Sequence, residues 1–380
     1  MSPIRSVKQL VTASDVVRIV LGWGAVAVLL IARPLLAAPV PAPLLIVSLV
    51  VIVVVILVCA FGVVKQAEAL ARRLGDPYGS LVLTLSIVLI EVILISAVML
   101  GPGEHQTIAR DSVMAVSMII LNLVIGLALL LGGIRHGALA HNRTGASAYL
   151  GMLVVLTALA FALPALIGQD GSYGIAQEIP VVVVTLGLYA FFLFRQMGAQ
   201  AGDFVEVAPL VAQRTTERVT SGILTTVRAH RVEITVRLIL LVVTVIPIVL
   251  LAHDMAALLD DGLGRLGAPT ALAGVLIAAI VFLPESITSI RAALGGEVQR
   301  VVNLCHGALV STVGLTIPAV LVIGILTGQT VVLAETPAHL LLLGVTLLLS
   351  IVTFASGKVT AAHGATHLAL FAVYVMVLFV

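Results

Sequence analysis

Two stretches, Ser86-Ile87-Val88-Leu89-Ile90-Glu91-Val92 and Phe282-Leu283-Pro284-Glu285-Ser286, each set a single glutamate inside a run of apolar residues. A carboxylate at the middle of a bilayer costs at least about 2.5–3.5 kcal/mol, so an acid kept there must face a partner, a protein interior or an aqueous cavity. The reading of both stretches as membrane helices therefore decides the fold and points to the function. Composition supports it. Of 380 residues, 61% are apolar or aromatic and 10% are charged, where an ordinary soluble domain has about 45–50% and about 25%. A soluble globular protein is excluded.

A bilayer-spanning helix needs about 20 mostly apolar residues. Eleven stretches meet that length, near 18–38, 43–64, 80–101, 112–133, 148–168, 178–198, 235–255, 269–292, 302–326, 337–355 and 361–380. The fold class is thus an all-α polytopic membrane protein. Lys and Arg gather on the cytoplasmic side of inner membranes. With the N-terminus inside, alternating loops place seventeen Lys and Arg in the cytoplasm and three, Arg33, Arg110 and Arg265, opposite. This orientation puts the chain in a bacterial inner membrane with a cytoplasmic N-terminus. The first span also resembles a secretory signal, ending in Leu36-Ala37-Ala38, but Arg33 and Pro34 stand where a cleavable signal keeps small residues. It is read as a retained helix.

The longest polar gap, 199–234, leaves five spans on either side. An odd number per half makes the second half enter the membrane from the other face, which gives inverted repeats, the recurrent plan of secondary transporters. The organisation is an N-terminal helix over 1–42, a first five-helix repeat over 43–198, a cytoplasmic linker over 199–234 and a second repeat over 235–380. Glu91 and Glu285 hold comparable places in the two repeats, and no Lys or Arg lies deep in any span to neutralise them. Pro284, lacking an N–H, is expected to interrupt its helix beside Glu285 and free carbonyl oxygens that bind cations.

The next helix in each half carries a polar, small-residue face. Asn303, Gly307 and Ser311 follow at i, i+4 and i+8, with Gly314 three further on; in the first half Asn122 stands with Ser117 and Gly126. Asn122, Asn303 and Ser311 are candidate ion ligands, with Ser117 and Gly307 as further members of the two faces. His306, one turn from Asn303, could relay protons. His363 and His367 share a face at i, i+4 without an identifiable third ligand, and Glu335 with His339 lies near a membrane surface.

Other function classes lack support. The net charge is +2, with basic residues spread among loops, so nucleic acid is not a partner. Cys59 and Cys305 lie in apolar runs without a partner at metal or redox spacing. Asn142-Arg143-Thr144 matches a glycosylation acceptor but falls in a cytoplasmic loop. No nucleophile with its base stands at membrane depth, so no enzyme is expected. Paired single acids also suit alternating access better than a continuous pore.

At these residues the chain resembles the calcium/cation antiporter superfamily, most closely its bacterial Ca2+/H+ antiporter branch of the ChaA type. The likeness rests on Gly75-Asp76-Pro77-Tyr78-Gly79-Ser80-Leu81-Val82-Leu83-Thr84-Leu85-Ser86 leading to Ile90-Glu91-Val92, and on Leu283-Pro284-Glu285-Ser286 leading through Gln299-Arg300-Val301-Val302-Asn303-Leu304 to Gly314-Leu315-Thr316-Ile317-Pro318. A third match is Gly364-Ala365-Thr366-His367-Leu368-Ala369-Leu370-Phe371. The resemblance implies one helix plus two inverted five-helix repeats, with Glu91 and Glu285 as paired ion-binding acids. Where the wider superfamily usually carries Gly-Asn before each acid, this chain has Ile87-Val88 and Val281-Phe282. Its linker offers few acids, Asp203, Glu206 and Glu217 with Glu233 at its end, among several Arg, so no regulatory calcium site is expected there.

Ca2+ takes six to eight oxygens, and two carboxylates match its charge. A carboxyl removed from water favours its protonated form, and a second beside it strengthens that preference. Cation and protons then compete for one site, and a site that cannot cross the membrane empty and doubly charged is an antiporter. Na+ or K+ exchange for H+ on the same acids is the rival reading, since one retained proton fits the site to a monovalent ion. No cofactor is expected beyond the transported cation and H+, and the partners are small cations, protons and the lipid bilayer.

Overall fold

A computed structural model describes residues 10–36, 39–74, 85, 88–89, 91–93, 95–96, 99, 106–206, 230–269 and 271–379. Most of the Gly75–Ser86 motif, part of the expected span 80–101 and the linker residues 207–229 lie outside these residues. The protein is all-α: among the described residues nine helices are long and apolar enough to cross a membrane, and a shorter apolar helix covers Ala361–Val377. It divides into two compact units, one of residues 1–86 and 208–266, the other of 87–207 and 267–380.

The first unit holds α1 (Ala13–Ala32), α2 (Ala42–Leu74) and, from the far side of the linker, the later helix Arg231–Leu266. Asp15 opens α1 by accepting from the Thr12 amide at 3.0 Å and the Thr12 hydroxyl at 2.6 Å, which satisfies a donor the helix leaves free. A Cβ on Gly22 would stand 3.0 Å from both Cys59 Sγ and Pro247 Cγ, so glycine lets the three helices close together. Pro247 sits inside its helix and cannot bond the carbonyl four residues back. That carbonyl, Val243 O, accepts from Trp23 Nε1 at 3.1 Å. Two spans are longer than their apolar cores: the expected 43–64 and 235–255 run on to Leu74 and Leu266. Their polar ends, including Lys65, Glu68 and Arg265, carry good helix formers that need not leave the helix on leaving lipid.

The second unit contains α3 (Ile108–His136), α4 (Arg143–Ile167) and α5 (Ile175–Met197) from the first half. Beyond the long helix of the first unit, which is α6, it continues with α7 (Ala271–Leu294), α8 (Val298–Thr327), α9 (Pro337–Ala355) and α10 (Ala361–Val377). Its centre is formed by α3 and α8, with 83% and 67% of their apolar windows buried. Each of these helices carries a wide π turn at mid-length, Ile119–Val124 in α3 and Thr312–Thr316 in α8. Such turns are frequently found at functional sites. A short antiparallel ladder joins the α3–α4 turn (β1, Leu139–Ala140) to the α9–α10 turn (β2, Lys358–Val359), pairing Leu139 with Val359 and Ala140 with Lys358. Both turns therefore lie at one end of the bundle.

Two glycines face each other where α3 meets α10. A Cβ on Gly364 would stand 2.6 Å from Gly126 O and closer still to Leu130 N, so the backbones touch without room for a methyl. Gly364→Ala is expected to destabilise the protein by about 1–3 kcal/mol, the usual cost of overpacking. A lower thermal unfolding midpoint in detergent checks this, and an unchanged midpoint would show that α10 has space to retreat.

Candidate functional site

Glu91 and Glu285 both lie in the second unit, 3% and 8% exposed. The Glu285 carboxyl is within electrostatic reach of Glu91, so the two acids that the sequence sets apart in separate halves come together. Glu91 Oε2 accepts a short hydrogen bond, 2.5 Å, from the Thr312 hydroxyl on the π turn of α8. Glu91 Oε1 and Glu285 Oε2 are buried without a hydrogen-bond partner among the described residues, and no ion pair to either acid is present among them. Nor do three or more His, Cys, Asp or Glu side chains cluster anywhere in the described residues at metal-holding distance. The site offers two carboxylates and the Thr312 hydroxyl, oxygens suited to a hard cation, with the buried Cys305 thiol within electrostatic reach of Glu285.

The helix that carries Glu285 corrects one expectation. α7 runs unbroken from Ala271 to Leu294 through Pro284, so the proline does not interrupt it. The Ser286 hydroxyl donates to Phe282 O at 2.7 Å and the Thr288 hydroxyl to Pro284 O at 2.9 Å. These side chains occupy carbonyls around the turn. The carbonyl that Pro284 deprives of its usual donor is that of Ile280, four residues back.

Asn122 stands on the π turn of α3 and is wholly engaged by the protein. Its Nδ2 donates to the Thr346 hydroxyl at 2.9 Å and lies 3.3 Å from Met118 Sδ, while its Oδ1 is 3.2 Å from His367 Nδ1. Because the Asn122 oxygen can only accept, His367 Nδ1 carries the hydrogen, and His367 Nε2 accepts from the Thr353 hydroxyl at 3.1 Å. A neutral histidine is thereby fully satisfied, and α3, α9 and α10 are joined through one buried network. Thr346, Ser350 and Thr353 follow at i, i+4 and i+7 on α9 and are all fully buried. That hydroxyl stripe was legible in the sequence by the same spacing rule that singled out the stripe of α8.

The other candidates separate. Asn303 sits about 13 Å along the axis from Thr312, at 1.5 Å per residue. Its Nδ2 donates to Phe204 O at 2.6 Å and its Oδ1 accepts from Gln299 at 3.0 Å. Ser311 accepts from the Tyr189 hydroxyl at 2.9 Å, and Ser117 donates to Val113 O at 2.7 Å. His306 stacks on Tyr149 with ring centres 6.2 Å apart and meets Phe354 edge-on at 5.0 Å. Gly307 and Gly314 seat tyrosine rings: a Cβ would stand 3.3 Å from the Tyr149 hydroxyl and 3.1 Å from the Tyr189 ring. His363 closes the N-terminus of α10 through the Thr360 amide, 3.1 Å away, and His339 pairs with the buried Glu335 at 2.9 Å.

The segment after α5 anchors the start of α8. Glu206 accepts from the amides of Gln299 at 3.3 Å and Arg300 at 3.0 Å, two donors the helix cannot use itself. Burial pushes the Glu206 carboxyl above the usual carboxylate range, against the pull of those two amides. In the α3–α4 turn, burial holds the His141 imidazole below its ordinary value although its Nε2 lies 3.2 Å from Phe354 O.

The model of the sodium/calcium exchanger protein family matches residues 44–198 and again 236–380. The chain belongs to that family. A protein of Sinorhizobium fredii whose name describes an ionic transporter, y4hA, is 34% identical over 319 residues, 83% of this chain and 84% of its own. The sodium-potassium/proton antiporter ChaA of Escherichia coli is 31% identical over 323 residues, 85% of this chain and 86% of its own. Among solved structures, the H+/Ca2+ exchanger CAX superimposes with a TM-score of 0.69 at 13% identity, covering 96% of this chain and 89% of that one, a likeness of fold. The resemblance read from the acid-bearing motifs is thus upheld.

Asn122 generates a test of the network. Asn122→Leu strands the His367 Nδ1 hydrogen and removes the donor to Thr346, and each orphaned buried group costs about 1–3 kcal/mol. The variant is expected to unfold at a lower temperature in detergent. Wild-type stability would mean that the amide does not hold the three helices together.

Proposed function

We propose that this family member is a secondary active antiporter that exchanges Ca2+ for H+ across the bacterial inner membrane, with Glu91 and Glu285 binding cation or protons in competition. The observation that carries this reading is the pair of buried acids within reach of each other, each with an unpartnered oxygen and neither ion-paired among the described residues. Two carboxylates in a low-dielectric interior repel each other and have lost their hydration, so the doubly charged empty site is the costly form. Protonation removes the charge; so does a divalent cation. The site crosses in either neutral state and is blocked in the bare one, which couples the two fluxes without any further device.

In this reading the remaining ligands are drawn from Thr312, which bonds Glu91, from its chain neighbour Ser311 and from carbonyls of α7 near Pro284. Asn122 positions the α3 side of the site, and Asn303 holds the end of α8. The N-terminus is cytoplasmic, and residues 43–198 and 235–380 act as two inverted repeats that rock against each other; the separate family matches to 44–198 and 236–380 support the division. No resident cofactor takes part. Na+ or K+ exchange for H+ is the second reading, favoured by the 31% identity to an antiporter named for sodium, potassium and protons.

Everted vesicles carrying the full chain test both readings. A pH-sensitive dye inside them reports proton movement when Ca2+, Na+ or K+ is added separately. Ca2+ is expected to give the response in the parent chain, and Glu91→Gln and Glu285→Gln each to abolish it, because an amide cannot trade a proton for a cation. Exchange surviving in either variant would remove that glutamate from the site; a response to Na+ or K+ alone would select the second reading.

A further inference from the structure

At the end of the second unit that carries the β1–β2 ladder, the turns close on a buried imidazole that the two-acid site does not use. His141, 4% exposed, follows β1 between α3 and α4. Its amide donates to Gly357 O at 3.1 Å and its Nε2 lies 3.2 Å from Phe354 O, so both bonds cross to the end of α9 and the turn beyond it. A carbonyl oxygen can only accept, so Nε2 carries the ring hydrogen and Nδ1 is left as a bare lone pair. That Nδ1 is buried with no hydrogen-bond partner among the described residues.

The His141 ring meets Phe354 edge-on with centres 5.2 Å apart, and Phe354 meets His306 of α8 edge-on at 5.0 Å. His306 is fully buried and fixed in the same manner: its Nδ1 lies 3.2 Å from Val302 O, which leaves Nε2 bare and unpartnered. Phe354 is therefore a shared wedge that ties the α3–α4 turn to α9 and α8. The groups that act on His141 include no acid: Arg143 faces it from α4 and His306 from α8. Of the other basic groups at this end, His136 at the close of α3 is turned to Leu294 O, 2.9 Å away, and Lys358 on β2 is exposed.

We infer that His141 is an acid-sensitive latch: a proton on its Nδ1 breaks the packing that holds the α3–α4 turn to α9 and, through Phe354, to α8. A bare lone pair can be buried at modest cost. The protonated ring instead adds a donor without an acceptor and a full charge beside Arg143 without a counter-ion. It is relieved only by turning to water, which gives up the bond to Phe354 O and the contact with the phenyl ring. Burial already holds the imidazole below its ordinary value. The opened turn therefore takes up a proton before the closed one does, and stability present above the ordinary histidine range is lost as pH falls through that range. The latch does not depend on the exchange reading; within that reading this end is cytoplasmic, and the protons that exchange delivers are what release it.

Hydrogen exchange of the full chain in detergent tests it, read on peptides covering 137–142 and 356–360. Rates are compared between about pH 8 and about pH 5 after correction for the intrinsic rate of each amide. The parent chain is expected to exchange there at least about fivefold faster at the lower pH, since each pH unit by which an imidazole is held down gives about tenfold in the opening equilibrium. His141→Gln keeps a side-chain N–H for Phe354 O but takes up no proton, and is expected to change by less than about twofold. His136→Gln, at the exposed histidine of the same end, should keep the response of the parent. No acid acceleration in the parent, or the same acceleration in His141→Gln, would overturn the latch. If the His141→Gln chain does not fold, the parent is followed instead by NMR of its imidazole nitrogens, where a proton taken up at His141 Nδ1 without opening of the two turns is the result that overturns it.

Discussion

The molecule is organised around a repulsion. Two carboxyl groups sit in an interior from which water is largely excluded, within reach of each other and without an ion-pair partner among the described residues. Ordinary membrane proteins avoid this arrangement or neutralise it with an arginine or lysine. Here Arg110, Arg237, Arg265 and Arg300 are paired with acids elsewhere. The interior acids are left without a neutralising side chain among the described residues, and the exchange proposed above is the consequence of that dependence on an ion from outside.

Around the acids the protein is otherwise careful with its polar groups. Asn122, Thr346, His367 and Thr353 close a network that leaves neither His367 nitrogen nor either end of the Asn122 amide unpartnered. Ser117, Thr157, Ser286 and Thr288 return their hydroxyls to carbonyls one turn back in their own helices. Against that background the unpartnered oxygens of Glu91, Glu285, Thr185 and Thr316 stand out. A buried group without a partner is costly in a low-dielectric medium, and those costs are concentrated along α7, α8 and the helices facing them.

Much of this was legible in the sequence, because hydropathy and the cost of charge in lipid are strong signals. The membrane spans followed from length and apolarity, and both acids followed from being charged where charge is expensive. Other features were invisible to spacing rules. A helical wheel assumes a constant rotation per residue, and the π turn at Thr312–Thr316 breaks that assumption; Ser311 was chosen, while its neighbour Thr312 makes the bond to Glu91. The wheel also gives the face of a residue but not its partner, so Asn303 and Ser311 looked equivalent although one binds Phe204 O and the other Tyr189. Proline was read as a break, but α7 passes through Pro284 without interruption. The second span was read over 43–64, yet its helix runs on to Leu74, because polarity ends a membrane span without ending a helix.

One contact in the first unit gives the protein a built-in optical gauge. Trp23 is the sole tryptophan of the chain, and its indole N–H is held by the Val243 carbonyl that Pro247 sets free. Ultraviolet emission excited at the red edge of protein absorption therefore comes from a single fluorophore at the seam between α1 and α6, undiluted by any other indole. Its wavelength and quenching report the state of that seam directly, without a dye or an added label.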